Sequence, residues 1–219
     1  MEIKAMFSTP VISLDLDDGG AIVAALRETI LAHERAHRGV ARSNDRGWQS
    51  ADDFAAWSGE AGAGAIAAVR AAVDRFTVHF DGAALRRGAF DWTVQGWANV
   101  NRDGAANLAH VHPGSYWSAC LYVDDGGIAG QDALGGAIEF VDPRGPVPLM
   151  VAPALKMAVA GCVAAGLGER IYPRTGQVLI FPSWLPHAVT RYSGAGTRIS
   201  VAMNFCIGAA ADAPRWRTA

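Results

Sequence analysis

Six histidines stand in the 219-residue sequence, and all but His79 fall in motifs whose spacing permits chemistry. His110 and His112 flank Val111 just ahead of Pro113-Gly114. In an extended segment, residues two apart point to one side, so both imidazoles can converge on one cation while Val111 turns away. The competing reading is of two polar residues near a strand end, and the pair alone leaves it open. The segment His33-Glu34-Arg35-Ala36-His37 matches H-E-x-x-H, which on a helix places two imidazoles on one face beside a glutamate base. Arg35 and Arg38 charge that pattern and the metzincin extension is absent at Gly39, so a solvated helix face is expected there. A third segment runs from Gln177 through His187 to Phe205. Along its last strand Ile199, Val201, Met203 and Phe205 share one face, while Arg198, Ser200, Ala202 and Asn204 share the other. A polar strand face usually meets water. Inside a closed barrel the same face would set a guanidinium and a hydroxyl beside a metal, a fork suited to a carboxylate.

Holding such groups requires strands. After Gly82, aromatic and β-branched runs separated by Gly, Pro, Asp and Asn predict strands at Trp92–Val100, Tyr116–Val123, Ala137–Val141, Gln177–Phe181, His187–Tyr192 and Thr197–Cys206. Short strands with turns such as Asp124-Asp125-Gly126-Gly127 predict a sandwich, jelly roll or barrel. Ahead of them the chain reads as helical. Ile22, Val23, Leu26, Ile30 and Leu31 recur at helical spacing from Ala21 to about His37, and Ile66, Val69, Val73 and Phe76 do so before Gly82. Ser50 with Asp53 ahead of Phe54 and Trp57 predicts a capping box opening a short helix between them.

The composition, 51% hydrophobic and 18% charged, is that of a folding globular chain, and the length suits one domain: a mostly helical layer over 1–82 and a β-core over 83–210. Nineteen basic against 21 acidic residues leave no surplus charge for a phosphate backbone, so nucleic acid is not an expected partner. Cys120, Cys162 and Cys206 form no CxxC pair, which suits a reducing, cytoplasmic setting. The first twenty residues lack the apolar core of a secretory signal. The apolar stretch Leu149 to Leu167 is broken by Pro153 and Lys156, so no membrane span is expected.

Taken in order, Ser43-Asn-Asp-Arg-Gly-Trp-Gln-Ser50, Trp97-Ala-Asn-Val-Asn101, Asn107-Leu-Ala-His110-Val-His112-Pro-Gly-Ser and Phe181-Pro-Ser-Trp-Leu-Pro-His187 resemble the bacterial 2-oxoglutarate-Fe(II) oxygenases, a branch of the double-stranded β-helix superfamily. The likeness spans roughly Phe7 to Ile207. It implies an α+β, mainly β fold: a double-stranded β-helix, or jelly roll, with N-terminal helices packed outside. It implies Fe(II) as the metal, 2-oxoglutarate as co-substrate and O₂ as oxidant. His110 would be the first ligand and His187 the distal one, with Arg198 and Ser200 gripping the distal carboxylate of 2-oxoglutarate and Tyr122 an extra donor. Where most of the superfamily carries Asp or Glu two residues after the first histidine, this chain has His112. Three neutral imidazoles leave the full +2 charge on the ion, which an anionic chelating 2-oxoacid or a thiolate would compensate.

Glu139 and Asp142 are spare carboxylates, read either as partners that orient an imidazole or as a strand-end charge and a turn aspartate. Ser118 and Tyr122 share strand parity with Cys120 and would face the barrel, though buried, hydrogen-bonded core residues account for them too. Trp97, Asn99, Asn107 and Trp184 are candidates for a pocket lining. The expected activity is hydroxylation of a small-molecule or peptide substrate, and a homo-oligomer is left open. Rival readings are a three-histidine cupin-type dioxygenase or isomerase without 2-oxoglutarate, against which Arg198-Ile-Ser200 argues, and a non-catalytic metal-binding barrel. A zinc hydrolase built on His33 and His37 is the remaining one.

Overall fold

A computed structural model describes residues 6–16, 19–80, 85–86, 90–146, 150–154 and 168–207. In chain order the elements are β1 (Ile12–Asp15), α1 (Gly19–Ala36), β2 (Asn44–Asp45), β3 (Trp48–Gln49), α2 (Phe54–Trp57), α3 (Gly59–Phe76), β4 (His79–Phe80) and β5 (Leu85–Arg86). There follow β6 (Trp92–Asn101), β7 (Ala106–His110), β8 (Trp117–Asp125), β9 (Ile138–Phe140), β10 (Glu169–Ile171), β11 (Gln177–Pro182), β12 (His187–Val189) and β13 (Arg198–Ile207). They form a six-stranded sheet ordered β1-β11-β8-β13-β6-β3, a five-stranded sheet ordered β10-β9-β12-β7-β2 and a small β4-β5 ribbon. Every named strand pair is antiparallel. The result is the expected jelly roll with helices outside.

The period-2 pattern decides which face of the large sheet meets the helices. Ile199, Val201, Met203 and Phe205 on β13, with Ala98 and Val100 on β6 and Leu121 and Val123 on β8, are buried in one cluster. The same cluster contains Val23, Leu26 and Ile30 of α1 and Ala65, Val69 and Val73 of α3, whose three- and four-residue spacing puts them on one stripe of each helix. Leu26 and Ile30 are fully buried, and each such side chain contributes about 1.5–3 kcal/mol by leaving water. Gly96 permits the close approach of α2: a Cβ there would lie 3.3 Å from the Ala202 carbonyl oxygen and 3.5 Å from Phe54 Cβ. A second cluster, of Tyr122, Ile138, Phe140, Leu179, Phe181 and Leu185, fills the space between the sheets.

Two expectations need correction. The first third is not helical alone: β1 pairs with β11, β2 with β7 and β3 with β6, so it completes both sheets. The capping box does not form. Asp53 is the N-cap residue but makes no side-chain cap bond, its carboxylate accepting instead from the Trp57 indole. The Ser50 hydroxyl accepts from the Ala98 amide and donates to the Ala51 carbonyl, because β3 carries it against β6 before the helix begins. The apolar stretch Leu149–Leu167 lies mostly outside the described residues, as does Cys162. Among the described residues no helix is long and apolar enough to cross a membrane.

Candidate metal and co-substrate site

Antiparallel pairing brings the separated histidines together. His187 opens β12 and stands directly across from His110, the last residue of β7. His112 lies just past β7 and is fixed by its amide donating to the Ser183 carbonyl at 3.0 Å. The ring centroids are 4.4 Å apart for His110 and His187, 4.9 Å for His110 and His112, and 5.1 Å for His112 and His187. One ring nitrogen from each lies within 4.8 Å of the others, and among the described residues this is the one group of three or more potential ligands so disposed.

The hydrogen bonds specify which nitrogens are free. His110 Nδ1 meets the Leu108 carbonyl at 2.7 Å and His187 Nδ1 meets the Leu185 carbonyl at 2.9 Å. A carbonyl only accepts, so each Nδ1 carries the proton and each Nε2 carries the lone pair. His112 Nε2 faces His187 Nε2 at 3.3 Å. Burial lowers His112 to about 3 and His187 to about 4, with neighbouring imidazoles pushing the same way, so a shared proton is disfavoured. Converging neutral imidazole nitrogens without a proton between them are the donor set of a first-row divalent ion, and the fit is good.

Beside the histidines, the inner face of the large sheet forms rungs. Asn101 on β6 faces Arg198 on β13; Asn99 faces Ser200, which faces Tyr122 on β8; Trp97 faces Ala202, which faces Cys120; Gln95 faces Asn204, which faces Ser118. A register shift between Ile199 and Ser200 keeps Ser200 opposite Tyr122. Arg198 is 1% exposed, yet among the described residues it has no anionic partner and its Nε is unbonded. Its Cζ stands 5.2 Å from the centre of the Tyr122 ring. The Tyr122 hydroxyl is also buried and without a partner, and burial pushes it and the Cys120 thiol upward, so both stay protonated.

A cavity of about 50 Å³ joins these groups, with Asn99, Cys120, Tyr122, Arg198, Ser200 and the three histidines on its wall. It shares Ser43, Trp97, His110, His112 and Asn204 with an outer cleft of about 370 Å³. The expected lining residues Trp97, Asn99 and Asn107 are there, with Ser43, which the sequence marked only as the start of a family motif, and Val189, which it did not mark as a site residue. Trp184 is not among them and is 56% exposed, because the Pro182-to-Leu185 turn holds it outward.

Other sequence candidates lie elsewhere. Glu139 pairs with Arg170, and Asp142 pairs with Arg144 at 2.7 Å; backbone carbonyls, not these acids, orient His110 and His187. The H-E-x-x-H helix is not simply solvated. His33 stacks between Trp57 at 3.8 Å and His37 at 3.9 Å, and Glu34 makes a two-pronged ion pair with Arg102 at 2.6 and 2.8 Å. The motif fastens α1 to α2 and to the β6–β7 turn.

Residues 95–204 match the family model described as "Putative 2OG-Fe(II) oxygenase". The search of curated proteins finds no match. Among solved structures, a prolyl-4-hydroxylase from Pseudomonas putida aligns with a TM-score of 0.58 and 15% identity over 92% of this chain and 94% of that one. A Trichoplax adhaerens prolyl hydroxylase, solved with a hypoxia inducible factor peptide fragment, gives 0.59 and 13% over 90% and 83%. HygX from Streptomyces hygroscopicus, solved with nickel and 2-oxoglutarate, gives 0.59 and 14% over 92% and 84%. At these identities the structures speak for the fold, and the family match, which takes in half the chain, speaks for the chemistry. The chain belongs to the 2-oxoglutarate-Fe(II) oxygenase family, an oxygenase whose reagents are iron(II), 2-oxoglutarate and O₂.

Proposed function

We propose that His110, His112 and His187 hold the iron, that Arg198, Ser200 and Tyr122 receive the distal carboxylate of 2-oxoglutarate, and that the outer cleft admits the molecule to be hydroxylated. The observation that carries this reading is the pairing, in one cavity, of three converging imidazoles with a buried guanidinium that has no anion beside it. A buried charge costs several kcal/mol unless it is paired, and 2-oxoglutarate offers the missing carboxylate.

Iron(II) bound there would supply O₂ activation coupled to oxidative decarboxylation of 2-oxoglutarate, with O₂ the source of the oxygen atom placed on a C–H bond. The protein's part is positioning. The Leu108 and Leu185 carbonyls keep the Nε2 lone pairs of His110 and His187 turned inward. Arg198 neutralises the distal carboxylate, and Tyr122, held protonated, donates its hydroxyl to it. Phe181, packed at 4.7 Å on His187, and Trp97, at 5.5 Å from His112, give the reacting face aromatic walls.

Compartment and organisation enter the same reading. The chain works as one domain, since β1, β2 and β3 complete the sheets that carry the site. A reducing cytosol suits the free thiols of Cys120 and Cys206. The substrate is a small molecule or peptide that enters through the outer cleft. Anaerobic titration of the iron(II)-loaded protein with 2-oxoglutarate tests the assignment: a weak visible charge-transfer band saturating at one equivalent is expected from wild type and not from His187→Ala. Equal bands from both proteins would overturn it.

A further inference from the structure

The outer cleft, about 370 Å³, falls within the roughly 300–1,000 Å³ usual for small-molecule sites. His110, His112, Trp97, Gln95 and Gln49 line it together with Arg42 and Asp52, both exposed, which are its two charged residues of fixed sign. Among the described residues neither has an ion-pair partner, and they do not pair with each other.

Both charges rise from fixed backbone. The Arg42 amide donates to Asn44 Oδ1 at 2.7 Å, and the Asn44 side-chain amide donates to the Val40 and Gly47 carbonyls, so the loop is cross-braced. Asp52 directly precedes Asp53, which bridges to Gly96 of β6 and opens α2. Two opposite charges that line one cleft together with the side-chain amides of Gln49 and Gln95 and the Trp97 indole match a ligand with an anion and a cation of its own.

Resting on the assignment of the histidines and Arg198 above, we propose that the hydroxylated substrate is a zwitterionic small molecule of the free amino-acid class, its carboxylate on Arg42, its ammonium on Asp52 and its carbon chain pointing past Trp97 toward the histidines. Charge-assisted bonds at both ends fix which carbon reaches the reacting face. A polypeptide segment lacks the paired free termini and leaves both residues unsatisfied.

The anaerobic Fe(II)–2-oxoglutarate complex supplies the readout, since occupation of the cleft perturbs its visible band without turnover. Free L-amino acids are titrated beside their N-acetyl and C-terminal amide derivatives. At least one free amino acid is expected to shift the band, with each blocked derivative bound tenfold or more weakly. Arg42→Gln should erase the preference for free acid over amide, and Asp52→Asn the preference for free amine over N-acetyl. Both residues are exposed, so the variants keep the fold. Blocked and free forms binding alike, the two variants leaving the preferences intact, or no free amino acid binding more tightly than about 10 mM would each overturn the proposal. A wild-type complex without the band would overturn the underlying assignment, and this proposal with it.

Discussion

Replacing Arg198 by Met separates a co-substrate anchor from a structural arginine, because the two roles move stability in opposite directions. Losing one partner of a buried, hydrogen-bonded charge pair costs about 2–5 kcal/mol of binding. At the lower bound, 2-oxoglutarate affinity falls about 30-fold, since each 1.4 kcal/mol is a factor of ten. With 2-oxoglutarate at 100 times its wild-type dissociation constant, ligand stabilises the wild type by about 2.7 kcal/mol. For a chain of this size that is a melting shift of about 5–11 °C. The same concentration then stabilises the variant by about 0.9 kcal/mol, or about 2–4 °C, and by nothing measurable at the upper bound. The ligand-free comparison runs the other way. Arg198 is 1% exposed with no anion beside it among the described residues, so an apolar side chain of similar length removes an uncompensated charge from the interior. The ligand-free Met variant should melt no lower than wild type. Anaerobic thermal denaturation with iron(II), with and without 2-oxoglutarate, reads both effects. A Met variant that keeps the full ligand shift, or that loses more than about 1 kcal/mol before ligand is added, refutes the reasoning. Arg198→Lys should fall between, keeping the charge but not the planar fork.

Iron content measured after gel filtration should be stoichiometric in wild type and absent in His187→Ala. His33→Ala should keep its iron but lose about 1 kcal/mol in denaturant unfolding, because it deletes the ring between Trp57 and His37. Metal-free protein should lose stability on acidification. The unfolded imidazoles take up protons near 6.5, while burial holds His112 near 3 and His187 near 4, so the unfolded state binds more protons between those values. The contribution is complete above about pH 6.5 and drains away as pH falls toward 4; a flat melting temperature across that window would contradict it. Gly135→Ala should destabilise by about 2 kcal/mol or more in urea, since φ there is +65° and a Cβ would lie 1.9 Å from the Arg191 carbonyl oxygen.

The parity of β13 was legible because the apolar residues and the site residues alternate without a break over eight positions, 198 to 205. The strand that carries His110 was not. In β7 Asn107 is buried and Leu108 is 60% exposed, the reverse of the usual pattern, because Asn107 faces the polar cavity and not the apolar cluster between the sheets. The strands β2 and β3, two residues each, are too short for any period to show. Ser50 and Asp53 read as a capping box from local spacing, but a tertiary contact with Ala98 claimed the hydroxyl first. The stacking of His33 on Trp57 depends on how α1 meets α2, which no window of the sequence contains.

The alternation along β13 bears on how the enzyme can change. Positions 199, 201, 203 and 205 hold the helices against the sheet, while 198, 200, 202 and 204 face the cavity. Heritable variation in stability and in chemistry is thereby written on alternate letters of one ten-residue word. A combinatorial library confined to 200, 202 and 204 explores the reaction chamber while the scaffold stays whole, whereas deletion of a single codon in this strand exchanges the two alphabets beyond it and removes both at once.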